Sequence, residues 1–373
     1  MRQVVEQFYS DYRLQYKLSP EQASACQSIL QCQTDALGGY IESCSDCHYQ
    51  QTHYCSCGNR HCPLCKQVAT DDWLKKQQGN LLPVPYYHTV FTLPHEFNAW
   101  VRLHPKVMYN IIFTCVWQTL KAFSMQHRKP KGQLGVTCVL HTWGQNLSQH
   151  VHLHCLIPGL TFSQDKQSVQ CAQGKYLYPI KALQRKYRGK LVSLVRQAYQ
   201  AGELFRIKQP QQVKQVLDEV MKKTWVIYIK PYLENPQTIL QYLSRYTYKI
   251  AISNQRIISV NQQGVTFSYT DYADNDKRKV MHLEGVEFLR RFLQHVLPRG
   301  FMRIRHYGFL ANSVRKKRLE SIRQLLDSLQ GIKIKLKSEN PKNTLPTKQI
   351  LCPKCQQGEM HIIMHLKKVK RRQ

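Results

Sequence analysis

Three histidines alternate with apolar residues in the run His150-Val151-His152-Leu153-His154. In a β-strand, this alternation places the histidines on one face and the apolar side chains on the other. Three neighbouring imidazoles are costly to bury without partners, and together they can bind a divalent metal ion. The run therefore predicts a metal site rather than structural histidines. It does not identify the chemistry, since zinc hydrolases also use histidine pairs on a strand.

Two tyrosines, Tyr242 and Tyr246, lie four residues apart in a segment predicted to be helical over 236–246. Side chains at this spacing share a helix face, about 5–6 Å apart. Such a pair usually packs in a core, but in a basic chain with a histidine cluster it becomes a candidate pair of nucleophiles. A phenol has a pKa near 10, and the neighbouring cations Arg245 and Lys249 would favour its ionised form.

Cysteines supply further metal-ligand candidates near the N-terminus. Cys44-Ser-Asp-Cys47 and Cys62-Pro-Leu-Cys65 are two CxxC knuckles, which predict four thiolates around one tetrahedral zinc ion, with buried free thiols as the alternative. The same stretch holds candidates for a second zinc ion, which could instead have packing roles: Cys32, Cys55, Cys57 and His61.

Another knuckle, Cys352-Pro-Lys-Cys355, lies near the C-terminus and is half of a metal site. His361 and His365 could complete it if they lie one turn apart on a helix, and a loose knuckle is the alternative. The four cysteines scattered between the two ends are expected in the core or as incidental residues.

The charge of the chain indicates its partner. Lys and Arg total 54 against 23 Asp and Glu, a formal net charge of +31. So large an imbalance favours a nucleic-acid partner over a membrane surface. The 21 tyrosines add flat surfaces on which unpaired bases can stack. The residues expected to contact DNA are Arg245, Lys249, Arg303, Arg305, Arg315 and Lys316.

Neither a secretory signal nor an apolar run of bilayer length is found in the sequence. The 14 cysteines are therefore expected in a reducing compartment, where clustered cysteines indicate metal binding rather than disulfides. We expect a cytoplasmic, chromosome-associated bacterial protein with no membrane partner.

The coarse pattern of elements predicts an α+β fold with an antiparallel sheet and flanking helices. Strands are expected at 86–93, 136–143, 151–157, 225–229, 250–253 and 265–269, and helices at 98–125, 211–222 and 236–246. The strands at 136–143 and 151–157 should pair antiparallel because their connection is too short for a parallel crossover. We expect three units: an N-terminal zinc-binding module (1–70), a catalytic domain (80–320) and a basic tail with a knuckle (321–373).

Five stretches carry a family resemblance. They are the cysteine stretch from Cys32 through CSDC to CGNRHCPLC, LLPVPYYHTVFTLPHEFN, HTWGQNLSQHVHLHCLIPG, YLSRYTYKIAISNQRI and FLRRFLQHVLPRGFMRIRHYGFLAN. The chain resembles the two-tyrosine HUH transposases of rolling-circle insertion sequences, where HUH means His-hydrophobic-His. The resemblance covers most of residues 32–320 in the family's order, although 161–210 match nothing in it.

The resemblance implies an HUH endonuclease-like antiparallel sheet and a metal site. His152 and His154 would hold magnesium or manganese, with His150 as a further candidate. The third ligand is left open among Gln241, Glu234 and His88. The N-terminal cysteines would form the family's structural zinc-binding domain.

The resemblance also implies the reaction. Tyr242 and Tyr246 would attack single-stranded DNA in turn and give a 5′-phosphotyrosine and a free 3′-OH, and rejoining would need no ATP. The DNA would be element ends in hairpin or single-stranded form. No GxxxxGK[ST] string occurs in the sequence, so helicase activity would come from a host protein.

Two alternatives are carried forward. A plasmid or phage replication initiator with an HUH nuclease domain would use the same chemistry. A non-catalytic zinc-ribbon protein that binds nucleic acid would share the charge and the cysteines.

Overall fold

A computed structural model of the protein describes residues 1–65, 79–126, 131–172, 177–233, 250–272, 274–330 and 351–369. Within these ranges the α-helices are α1 (Arg2–Gln15), α2 (Pro20–Gln31), α3 (Asn98–Leu103), α4 (Pro105–Gln126), α5 (Ile180–Gln200), α6 (Pro210–Lys222), α7 (Gly285–Leu293) and α8 (Arg315–Gln330). The strands are β1 (Gly39–Cys44), β2 (Gln50–Tyr54), β3 (Tyr86–Thr92), β4 (Gln133–Trp143), β5 (Gln149–Pro158), β6 (Leu160–Ser163), β7 (Ser168–Cys171), β8 (Ile227–Leu233), β9 (Ile257–Asn261), β10 (Gly264–Asp271), β11 (Lys277–Leu283), β12 (Ile304–Gly308) and β13 (Met360–Leu366). No helix in the described ranges is long and apolar enough to cross a lipid bilayer.

The largest sheet has seven strands, and all its neighbours are antiparallel. Its order is β7-β6-β4-β5-β3-β8, with β12 also paired to β4. β4 and β5 form a hairpin, so the antiparallel pair expected from the sequence is confirmed. The α+β class with helices beside an antiparallel sheet is confirmed as well.

Burial along β5 fixes which side of the sheet faces the helices. Val151, Leu153 and Cys155 are fully buried in the main hydrophobic core, which also contains residues of α4 and α5. The side chains between them face the other side of the sheet. A one-residue slip of β5 would move the apolar side chains out of the core at a cost of about 1.5–3 kcal/mol for each large one, so burial sets the register that positions the histidines.

The long helix expected over 98–125 is corrected to two helices. α3 ends at Leu103 and α4 begins at Pro105, with His104 between them in a non-helical conformation (φ −134°, ψ 59°). Proline disfavours helical backbone in the preceding residue and readily starts a new helix, which explains the break.

A second hydrophobic core joins the N-terminal helices to a later part of the chain. α1 and α2 pack there with α7 and with the three-stranded sheet β11-β10-β9. The strand expected at 250–253 is wrong: Ala251 and Ile252 are buried in this core within irregular backbone. Core burial, rather than strand pairing, accounts for the apolar pattern of that segment.

The two ends of the described chain meet in a third sheet of order β13-β1-β2. β1 pairs antiparallel with β2 on one side and with the C-terminal β13 on the other. These contacts involve residues of the segment 321–373, which was expected to form a separate basic tail. Residue 321 lies inside α8, which packs in a core through Leu319 and Ile322, and β13 extends the sheet of the N-terminal module.

Candidate functional site

Three histidines from two neighbouring strands converge on one side of the large sheet. His141 is on β4, and His152 and His154 are on β5. Each offers a ring nitrogen, and these three atoms all lie within 4.8 Å of one another. His141 stands directly opposite His152 in the ladder, and cross-strand partners point to the same face. The strands therefore present three imidazoles as a set that could bind one metal ion.

Hydrogen bonds orient the rings of the two β5 histidines. His152 donates from Nδ1 to the backbone carbonyl of His150, at 2.8 Å. Nδ1 of His154 lies 2.9 Å from Nε2 of His88, which is on β3. Both bonds use Nδ1, so Nε2 is the ring nitrogen that can bind a metal ion on each.

The expected three-histidine set on β5 is corrected in one member. His150 is exposed at the start of the strand and lies outside the group of mutually close nitrogens, whereas His141 belongs to it. His88, a candidate third ligand from the sequence, contacts His154 instead. The other two candidates, Glu234 and Gln241, lie outside the described residues. His141 was missed because it is on a different strand.

The hairpin that carries the histidines is fastened at its turn by buried polar contacts. His295, just after α7, donates from Nε2 to the carbonyl of Leu147 at 3.1 Å and accepts at Nδ1 from the hydroxyl of Thr142 at 3.2 Å. Gln294 donates to the same carbonyl at 2.9 Å. Burial lowers the pKa of His295 to about 4, so this ring is neutral near neutral pH.

Eight of the cysteines form two separate groups of four. The two N-terminal knuckles, which were expected to share one zinc ion, lie in different groups. The first group is Cys32, Cys57, Cys62 and Cys65, and the second is Cys44, Cys47, Cys352 and Cys355. In each group the four Sγ atoms lie within 4.8 Å of one another.

The length of the β1–β2 hairpin explains the separation of the knuckles. Cys32 and Cys57 flank the open end of the hairpin, whereas Cys44 and Cys47 are at its turn. A strand of six residues spans roughly 20 Å, which is much longer than the diameter of a four-thiolate zinc site. The knuckle Cys62–Cys65 therefore joins the group at the open end.

Two other candidates from the cysteine stretch lie outside both groups. Cys55 is exposed. His61 accepts a hydrogen bond at Nε2 from the backbone N–H of Leu297, at 3.3 Å. This contact joins the cysteine module to the segment after α7.

Comparison with known proteins identifies the family. A family model described as "Putative transposase" (Y2_Tnp) matches residues 135–318, and one described as "Transposase zinc-binding domain" matches residues 4–93. The protein named "Putative transposase y4qJ", from Sinorhizobium fredii (strain NGR234), is 37% identical over 366 residues, which cover 94% of this chain and 91% of that protein. This chain belongs to the Y2 transposase family.

A second relative is also named as a transposase. The transposase for insertion sequence element IS801 of Pseudomonas savastanoi pv. phaseolicola is 28% identical over 302 residues, which cover 77% of this chain and 69% of that protein. No solved structure shows a significant match to the chain. Family membership confirms the expected transposase, with DNA as its partner and a zinc-binding domain, and favours this reading over the replication initiator and the non-catalytic binding protein.

The tyrosines expected to be nucleophiles in this transposase, Tyr242 and Tyr246, lie outside the described residues, as do Arg245 and Lys249. The described residues on either side of that segment lie near the strands that carry the histidines. Before it, β8 is paired with β3, which is itself paired with β5. After it, Ile250 lines a small cavity together with Trp143, whose ring stacks on His141 at 4.8 Å between centroids.

The basic residues expected to bind DNA have different surroundings in the transposase. The guanidinium of Arg305 lies 4.1 Å from the ring centroid of Phe113 and donates to Asn110 at 2.6 Å, so it supports the fold. Lys316 is exposed at the start of α8. Burial and the charge of Arg315 together lower the pKa of His306, on β12, to about 4. The backbone carbonyl of Arg303 accepts from Leu140 at 2.9 Å.

Proposed function

We propose that this transposase cleaves and rejoins single-stranded DNA through a 5′-phosphotyrosine intermediate, with Tyr242 and Tyr246 as the nucleophiles and a divalent metal ion held by three histidines. The observation that carries the proposal is the group of nitrogens from His141, His152 and His154, all within 4.8 Å of one another on one face of the sheet.

The donor set fits a catalytic metal. Three imidazoles occupy one side of an ion and leave positions for phosphate and water oxygens, as in other metal sites that act on a substrate. Among the two ions expected from the sequence, a nitrogen-rich set favours manganese over magnesium, since magnesium prefers oxygen ligands. When bound, the ion would withdraw charge from the scissile phosphate and orient it.

Neighbouring residues of the chain would keep the ligands in place. His88 holds the ring of His154 through its 2.9 Å contact, and the carbonyl of His150 holds the ring of His152. The buried contacts of His295 fix the turn of the hairpin. Each of these groups restricts a ligand ring or its strand before DNA binds, which is how a metal site keeps its geometry.

In the proposed step, the phenolic oxygen of one tyrosine attacks the phosphorus and its proton passes to solvent. The bond between phosphorus and the 3′ oxygen breaks, and that oxygen takes up a proton to become the free 3′-OH. The phosphate remains on the tyrosine as a 5′-phosphotyrosine. Rejoining is the reverse attack by a 3′-OH, so the energy of the phosphodiester bond is conserved.

The described residues that precede and follow 234–249 support the proposal that the tyrosines act at the histidine group. The preceding strand β8 lies two strands from β5, and the following residue Ile250 lies beside Trp143, which stacks on His141. The basic surface of the chain would bind the DNA backbone, and single-stranded or hairpin element ends are the proposed substrates. Strand separation would depend on a host helicase.

The proposal is tested by removing the metal ligands one at a time. His141→Ala and His152→Ala should each abolish cleavage of a single-stranded oligonucleotide in manganese, while DNA affinity, which depends on the basic surface, stays within about threefold. His150→Ala is the matched control, because it removes an exposed histidine of the same strand that is outside the group. Normal cleavage by the His141 variant, or loss of cleavage in His150→Ala alone, would contradict the assigned site.

A further inference from the structure

Four cysteines from opposite ends of the chain converge at the turn of the β1–β2 hairpin. The Sγ atoms of Cys44 and Cys355 are 3.6 Å apart, and so are those of Cys47 and Cys352. These separations are too long for a disulfide, whose sulfurs are about 2.05 Å apart. They are close to the roughly 3.8 Å expected between thiolates around a tetrahedral zinc ion with bonds of about 2.3 Å.

Both knuckles place backbone N–H groups against the sulfurs. Cys44 Sγ accepts from the N–H of Asp46 at 3.4 Å, and the tail repeats this arrangement, with Cys352 Sγ accepting from Lys354 and Cys355 Sγ from Gly358, each at 3.4 Å. Such donors stabilise thiolate charge, which metal binding requires. Two knuckles of the same geometry therefore face each other.

The backbone around the knuckles is fitted to this approach. Gly358 lies so close to the N-terminal knuckle that a Cβ at this position would be 2.5 Å from Cys44 Sγ and 2.8 Å from a side-chain atom of Asp46. The N–H of Ser45 donates to the carbonyl of Glu359 at 3.0 Å. From there, β13 continues along β1 as its antiparallel neighbour.

The two histidines that the sequence offered as ligands beside Cys352 and Cys355 lie on a strand and not on a helix. His361 and His365 are exposed on β13, a strand rather than the helix that their spacing required. Residues four apart on a strand are separated by roughly 13 Å, so the pair cannot serve one ion. The N-terminal knuckle takes the place that these histidines were expected to fill.

We propose that Cys44, Cys47, Cys352 and Cys355 bind a second structural zinc ion, which fastens the C-terminal segment to the N-terminal module. The matched zinc-binding domain ends at residue 93, so it does not include the two tail ligands. Cys47 and Cys352 are 305 positions apart, so the ion would close most of the chain into one loop. It would also hold the exposed Lys367 and Lys368 next to the cysteine module, where both can contact DNA.

The test counts zinc ions on the full-length protein by native mass spectrometry, with elemental analysis in parallel. The wild type should carry two zinc ions. Cys352→Ser with Cys355→Ser should carry one, and Cys44→Ser with Cys47→Ser should also carry one. Cys55→Ser is the matched control, an exposed cysteine of the same module outside both groups, and should keep two. Two ions in either double variant, or one ion in the wild type, would overturn the proposal.

Hydrogen exchange of the β13 amides gives a second readout that does not depend on variant stability. In the wild type, these amides should exchange slowly, and mild chelation that removes one zinc ion should raise their exchange at least tenfold while the large sheet stays protected. Unchanged protection of β13 after loss of that ion would overturn the fastening role. Neither measurement involves DNA cleavage, so the outcome is separate from that of the phosphotyrosine proposal.

Discussion

Acid should loosen the turn of the histidine hairpin because a protonated His295 ring can no longer accept a hydrogen bond at Nδ1. Its Nδ1 accepts from Thr142 and its Nε2 donates to Leu147, and burial lowers its pKa from 6.5 to about 4. The folded-state pKa is below that of the unfolded chain, so the unfolded state binds the proton more tightly. The stability contributed by the neutral ring is present above about pH 6.5 and is lost as the pH falls toward 4.

The magnitude follows from the size of the shift. A lowering of about 2.5 pKa units corresponds to about 3 kcal/mol in full, of which about 2 kcal/mol is lost between about pH 7 and pH 5. His295→Gln removes the titrating group and keeps a donor for the Leu147 carbonyl. The variant should be less stable than the wild type near pH 7, but its free energy of unfolding should fall by about 2 kcal/mol less on acidification.

Pulse proteolysis in urea at a series of pH values measures this difference. The wild type and the variant share the acid sensitivity of the cysteine groups and of His306, so the difference between them isolates His295. His361→Gln, which changes an exposed histidine on β13, should follow the wild type. Parallel pH profiles of the free energy of unfolding for wild type and His295→Gln would contradict this role of His295.

Three further predictions concern the sites. His88→Ala should raise the manganese concentration for half-maximal cleavage by about 10–100-fold, because it removes the hydrogen-bond partner of the His154 ring. Cleavage should recover at high manganese concentration. An unchanged manganese requirement would contradict this role of His88. Gly358→Ala should reduce zinc retention to one ion per chain, since its Cβ would meet a ligand sulfur at 2.5 Å, and full retention would show that the knuckles can separate. Arg305→Ala should lower the free energy of unfolding by about 1–3 kcal/mol, because it loses the Phe113 ring contact and a hydrogen bond. Lys316→Ala should leave stability unchanged and weaken DNA binding. Loss of stability in the Lys316 variant and weaker DNA binding in the Arg305 variant would contradict both placements.

The sequence predicted the strand that carries two of the three histidines, because alternation with buried Val151 and Leu153 is a local signal. It did not predict His141, because that residue lies on the neighbouring strand β4. Its place opposite His152 depends on how the two strands pair, which a single strand's alternation does not give.

The cysteine groups show the same limit over a longer distance. Each CxxC knuckle was recognisable from its spacing, and so was zinc binding. Which knuckles share an ion depends on the length of the β1–β2 hairpin and on the return of β13 to β1, and neither can be read from spacing. The strand expected at 250–253 failed because Ala251 and Ile252 satisfy their apolar character by packing against a second core. The proposed reaction was expected from the family resemblance alone, and the histidine group supports the metal site that this reaction would need.

Mapping the residue that becomes joined to DNA tests the two-tyrosine mechanism most directly. The protein is incubated with a single-stranded oligonucleotide and manganese, digested with trypsin, and searched by mass spectrometry for a peptide that carries a 5′-linked nucleotide. We expect the adduct on Tyr242 or Tyr246 and no adduct in the Tyr242→Phe, Tyr246→Phe double variant. That variant should still fold and bind the oligonucleotide because only two hydroxyls are removed. Tyr248→Phe should form the adduct at the wild-type level. An adduct on Tyr248, or one formed by the double variant at the wild-type level, would contradict the two-tyrosine mechanism.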